Sequence, residues 1–287
     1  MNKYSIITDS SCDLPQSMVE ELDIKVMQLD IVIEGEGVYK NDELDVKDFY
    51  AKLRNNQNIK TSAVNADVAA SMIEEIFKQG QDILYLGFSS NLSSTYQTVA
   101  MTGNELLEQY TDRKMISIDT LAASMGQGLL VYKACKCRNA GKTLEETAAY
   151  IEDIKLKLCH WFTVDDLFFL KRGGRVSGVT ATLGTMLNIK PILHVDDEGR
   201  LINVSKVRGR KTSVTELAKR MEALAVHPET QDVFISHGDC IEDAEKLADI
   251  IREKFGTENI VISYVGTVIG AHSGPGTLAL FFVGEHR

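Results

Sequence analysis

Four short stretches of this 287-residue chain gather side chains able to do chemistry. Thr61-Ser62 and the run Ser89-Ser90-Asn91-Leu92-Ser93-Ser94-Thr95 each stand ahead of a segment with helical periodicity. Hydroxyls and free backbone N–H groups at the positive end of a helix form a setting that holds an anion. Plain helix capping is the alternative for either run. Two such runs on adjacent βα units of one sheet favour the anion. The third stretch, Ala271-His272-Ser273-Gly274-Pro275-Gly276-Thr277, reads as a tight turn in which glycines flank a proline, a backbone that approaches a ligand closely with His272 inside it. The fourth, Leu170-Lys171-Arg172-Gly173-Gly174-Arg175-Val176-Ser177, sets two guanidinium groups near one another, a geometry suited to carboxylate or phosphate; a solvated basic turn is its plain reading.

The usual catalytic fingerprints are missing. The first apolar run ends in Thr8-Asp9-Ser10-Ser11 instead of a glycine fingerprint, no Walker motif occurs, and Gly87-Phe88-Ser89-Ser90-Asn91 is no nucleophile elbow. The six histidines form no metal spacing with cysteine or acid, and Cys135 and Cys137, at i and i+2 of one helix, point to different faces. One nucleophilic reading stays open: Ser93 or Ser94 attacking with His272 as base, as in a lipid esterase or acyltransferase. Its weakness is the want of a third group to orient the histidine.

The elements that must position these residues follow from hydrophobic period. Runs at 4–8, 81–88 and 114–119 have strand character, and helical patterns at 66–79, 94–110, 124–140 and 144–158 lie between or after them, the last with Thr143 and Glu146 in capping-box spacing. Strands alternating with helices predict a parallel sheet covered on both faces, with ligands beyond the strands' carboxyl ends. Past residue 160 the texture changes. Two extended runs, Ile189 to Val195 and Leu201 to Val207, flank Asp196-Asp197-Glu198-Gly199 as a hairpin; helix 213–225, strand 232–236, helix 241–255, strand 259–265 and a run from Leu278 to Val283 follow. The expected architecture is α/β: an N-terminal three-layer α/β/α domain over 1–160 and a smaller α/β domain with a mixed sheet over 161–287.

Composition narrows the function classes. Forty-four per cent apolar residues and four prolines exclude a disordered or collagenous chain, and a net charge of −10 argues against a nucleic-acid binder. Residues 171–220 nevertheless carry eleven Lys or Arg against four acids, a net +7 that leaves −17 for the remainder. That window is either a solvated face or a docking surface for something anionic. Five sparse cysteines and an N-terminus without a signal-like apolar stretch lead to the expectation of a reduced cytoplasm, without stable membrane insertion.

In order along the chain, IITDSSCDLP at 6–15, TS at 61–62, SSNLSSTYQ at 89–97, LKRGGRVS at 170–177, KPIL at 190–193, VRGRK at 207–211 and VGTVIGAHSGPGTLAL at 265–280 resemble the DegV family. The resemblance implies a lipid carrier that buries one long-chain fatty acid between two domains. Its FakB members present the carboxylate to a separate FakA-type kinase, which brings ATP and Mg²⁺ and makes an acyl phosphate; the carrier has no cofactor of its own. By motif, Thr61 and Ser93 would hold the carboxylate, with Ser62 and Ser94 beside them and His272 completing the polar network. Arg172, Arg175, Arg208 and Arg210 would face the kinase or the phosphoryl group. A carrier of another hydrophobic ligand with no kinase is the alternative. Ser94 stands where the family keeps Gly, Ala63-Val64-Asn65 where it has a proline-bearing turn, and Asp119-Thr120 where it has Asp-Ser.

Overall fold

A computed structural model describes residues 3–176 and 188–287. Strand β1 (Tyr4–Asp9) is buried at every residue, as an apolar run must be when both faces of its sheet are covered. Helix α1 (Gln16–Glu21) and β2 (Ile24–Met27) follow, then a hairpin of β3 (Asp30–Ile33) and β4 (Gly37–Lys40), helix α2 (Val46–Arg54) and β5 (Ile59–Ser62). Next come α3 (Ala66–Lys78), β6 (Asp82–Gly87), α4 (Thr95–Leu107), β7 (Met115–Asp119), α5 (Met125–Asn139) and α6 (Leu144–Ile154). Strands β2, β1, β6 and β7 pair in that order as the parallel sheet the alternation implies. The capping box at α6 forms as its spacing requires: the Glu146 N–H donates to Thr143 Oγ1 at 3.1 Å and the Thr143 N–H to the Glu146 carboxylate at 2.8 Å.

The stretch 24–62 departs from a simple βα repeat. Strands β4, β3 and β5 make a separate antiparallel sheet, each four residues long. Thr61 and Ser62 therefore lie on a strand and not at a helix start. Helix α3 begins at Ala66, and the Asn65 side chain caps it by accepting from the Asp67 N–H at 2.7 Å. Strands this short carry too few alternations to stand out in the sequence.

The second sheet contains β8 (Leu158–Thr163), β9 (Ile189–Val195), β10 (Leu201–Arg208), β11 (Val233–His237), β12 (Ile260–Tyr264) and β13 (Leu278–Val283), interleaved with α7 (Leu167–Arg172), α8 (Arg210–Leu224), α9 (Ile241–Phe255) and α10 (Thr267–Ser273). Its order is β10-β9-β8-β13-β11-β12, with β11 and β12 parallel and the other pairs antiparallel, so it is mixed, and the β9–β10 hairpin is present. Residue 160, the expected division, falls inside β8, a central strand of this sheet; sheet membership changes earlier, at residues 155–157. His272 sits on the last turn of α10 and not within a free loop; Gly274 and Gly276, at φ of 79° and 77°, end that helix and turn the chain into β13. Ser177, which closes the fourth motif, and residues 178–187 of the basic window lie outside the described residues.

Helix α5 joins the two sheets. One continuous buried cluster includes Ile6 and Leu84 of the first sheet, Leu129 and Leu130 of α5, and Phe162, Phe234 and Phe281 of the second. Two of its glycines permit this closeness: a Cβ at Gly128 would come within 2.7 Å of the Cys12 carbonyl, and one at Gly126 would overlap the His160 ring.

Candidate functional site

Between the sheets lies a cavity that opens to solvent on one side. Its wall is built by the inward face of the second sheet, through Phe162, Ala279 and Phe281, and by Leu29, Phe88 and Leu170. Hydroxyls and an imidazole meet at one edge, where β5, the start of α4 and the end of α10 converge, while Ser124, His160 and Ser236 enter the lining from other elements.

There Thr61 Oγ1 and His272 Nε2 are 2.8 Å apart, although 211 residues separate them in the chain. The Ser93 hydroxyl is 2.9 Å from Thr95 Oγ1 and accepts from the Thr95 N–H at 3.2 Å, so it belongs to the first turn of α4. Ser62 and Ser94 line the same edge and are exposed, which places them on its solvent side. Ser94 has φ of −76° and ψ of 0°, ordinary right-handed backbone, so the glycine customary at this place is not required by conformation. Arg175 also lines the cavity, donating from Nε to the Leu92 carbonyl at 3.3 Å.

Burial chiefly, and then the guanidinium groups of Arg175 and Arg172, push His272 down to a pKa of about 4. It is neutral at pH 7, with Nδ1 packed toward Gly173, where a Cβ would overlap it. A neutral imidazole bonded to a hydroxyl beside two cations suits an entering carboxylate, whose charge the arginines oppose and whose lone pairs the hydroxyls can meet. The nucleophilic arrangement is not assembled: the His272 ring bonds Thr61, and Ser93 bonds within its own helix turn.

The four arginines part company. Arg172 is exposed at the end of α7, its guanidinium 4.9 Å from the centre of the Phe169 ring, and Arg175 reaches the cavity. Arg208 is exposed at the end of β10. Arg210 is committed elsewhere: its Nε donates to Asp243 at 2.8 Å, and Nη1 lies 3.5 Å from Asp165, which also pairs with Lys190. Arg208 and Arg210 do not line the cavity. Several wall residues carry no signal in the sequence, among them Ser124, His160 and Ser236, because only the meeting of the two sheets makes them neighbours. Among the described residues no group of acids, histidines and cysteines could hold a metal, and no helix is long and apolar enough to cross a membrane.

The family profile described as "Uncharacterised protein, DegV family" matches residues 3–285. A DegV domain-containing protein of Clostridium perfringens is 48% identical over 289 residues, covering all of this chain and 99% of the relative. A solved structure of a DegV family protein from Thermus thermophilus, described by its fatty acid binding, superposes with a TM-score of 0.87 at 28% identity, covering 99% of this chain and 100% of that one. DegV of Bacillus subtilis, described as a fatty acid binding protein, superposes at 0.85 with 27% identity, again over 99% and 100% of the two chains.

Proposed function

The chain belongs to the DegV family, and we propose that it carries one long-chain fatty acid in the cavity between its sheets, with the carboxylate at the Thr61–His272–Ser93 edge. The observation that carries this reading is a mainly apolar cavity with Thr61, Ser93 and His272 drawn together at one edge, next to Arg175. Burying a methylene is worth about 0.8 kcal/mol, so a tail of about 15 offers roughly 12 kcal/mol before ordering costs, enough for tight binding without any catalytic group. Relatives described as fatty acid binding support it.

The finer reading is that the carrier serves a FakA-type kinase in the cytoplasm. ATP and Mg²⁺ arrive with that partner; a carboxylate oxygen of the bound acid attacks the γ-phosphorus, the bond to ADP breaks, and an acyl phosphate results. Arg172 and Arg175 beside His272 support this by flanking the place where phosphoryl charge would develop, and exposed Arg208 extends the same basic window. Five free thiols fit a reducing compartment. Mass spectrometry of an organic extract of protein purified from bacterial cells tests the core of the proposal. About one fatty acid per chain is expected; phospholipid alone, or nothing, would count against it.

A further inference from the structure

Asp13, in the turn after β1, is a buried carboxyl group that the carboxylate edge does not use. It is 8% exposed, its Oδ1 packs against the Gly266 backbone, and no Lys or Arg pairs with it among the described residues. The titratable groups around it are Asp9 at the end of β1, Cys12 beside it and Tyr50 of α2, together with Asp42 and Tyr264, which share the solvent groove that Asp13 also lines. None of these is a cation, and Arg54, next along beyond Tyr50, pairs with Asp239. Burial raises the group to about 7, and the nearby charge of Asp9 acts in the same direction.

Its link to the lipid cavity runs through serines. The Ser124 hydroxyl donates to Asp13 Oδ2 at 2.5 Å and lies 3.0 Å from the Ser236 hydroxyl, and both serines line the cavity. Ser124 keeps φ of 54° and ψ of −148°, a backbone that serine rarely adopts, which holds its hydroxyl on this line at the start of α5. Asp13 therefore stands one side chain behind the cavity wall, with the groove on its other side as the way for a proton to reach it. An acyl tail in the cavity sets hydrocarbon where water would otherwise solvate this wall, and the carboxylate of the acid adds a like charge. Both disfavour the ionised form of Asp13. The neutral form loses no bond, because a chain of two hydroxyls can reverse its direction and accept from a carboxyl O–H.

We propose that binding of the acyl tail is coupled to uptake of a proton by Asp13, so that the cavity holds fatty acid more tightly on the acid side of neutrality than on the alkaline side. The inference rests on the fatty-acid reading above. The complex keeps the Asp13 proton to a higher pH than the empty protein does, so between those two values the complex holds more protons, and by reciprocity affinity falls as pH rises. The test is displacement of a fluorescent fatty acid by palmitate from pH 6 to pH 9, with calorimetry in two buffers of different ionisation heat to count protons. Affinity for the native protein should drop about tenfold across that range, with about half a proton taken up per acid near pH 7.5. Asp13→Asn keeps an oxygen for the Ser124 hydroxyl and cannot ionise. It should bind palmitate at pH 9 as tightly as the native protein does at pH 6, and its proton count should lack the native uptake. Titration of His272 or of the acid itself is common to both proteins and cancels in the difference. Should the variant not fold, carbon NMR of the Asp13 carboxyl in the native protein decides: palmitate should move its titration midpoint to higher pH. Equal proton counts in the two proteins, a native affinity that is flat with pH, or an unmoved midpoint overturns the inference while leaving the carrier intact. If palmitate displaces the probe at no pH, the fatty-acid reading itself fails.

Discussion

Replacing Thr61 by valine removes one hydroxyl and leaves shape and strand preference nearly untouched, since Val is at home in β5. What is lost is the oxygen 2.8 Å from His272 Nε2. In the free protein the change is mild, because Thr61 is only half-buried and water can reach the edge. In the complex a carboxylate loses one hydrogen bond, and bonds to charged groups contribute about 1.5–3 kcal/mol, so the dissociation constant should rise roughly tenfold to a hundredfold. The assay is displacement of a fluorescent fatty acid by palmitate at pH 7, with thermal unfolding of the unliganded variant as control. Ser94→Gly provides the contrast: an exposed hydroxyl with no capping bond, on backbone that needs no glycine, should shift affinity by less than about threefold. If Thr61→Val binds palmitate as tightly as the native protein, the carboxylate does not sit at this edge.

Stability should respond to pH through His272. The unfolded chain takes up its proton near 6.5 and the folded chain only near 4, so between those values the unfolded state binds more protons and stability rises with pH, by up to about 3 kcal/mol. Asp13 works the other way: burial raises it to about 7, and its contribution falls as pH climbs from its ordinary value toward 7. His272→Gln should therefore make the change in stability between pH 4 and 6.5 less positive than in the native protein in urea denaturation series, and an unchanged pH dependence refutes the assignment. Charge reversal at Arg208, which is outside the cavity lining, should leave palmitate affinity within about twofold, whereas reversal at Arg172 should weaken it by placing a like charge near the carboxylate. Both reversals should slow acyl-phosphate formation by a FakA-type kinase, with a defect that shrinks as salt rises if the arginines steer docking; unaffected kinetics in both variants would reduce the basic window to a solvated face. Arg210→Glu differs in kind: it leaves Asp243 and Asp165 facing a like charge, so a lower unfolding temperature is expected with or without lipid.

The sequence by itself determined the elements whose pattern is local and long. The apolar runs of β1, β6 and β7, the amphipathic helices between them, the capping box at Thr143 and the β9–β10 hairpin were all legible, because period and turn chemistry act over a few residues. Its motifs also marked Thr61, Ser93 and His272, though in part for a mistaken local reason: Thr61 belongs to a short antiparallel strand and His272 to the end of a helix. Tertiary structure alone decided what these residues do to one another. The Thr61–His272 contact, the separation of Arg210 from Arg175, and the burial of His160 between β8 and α5 all depend on how two sheets close over α5, and closure is set by long-range burial that no local pattern records.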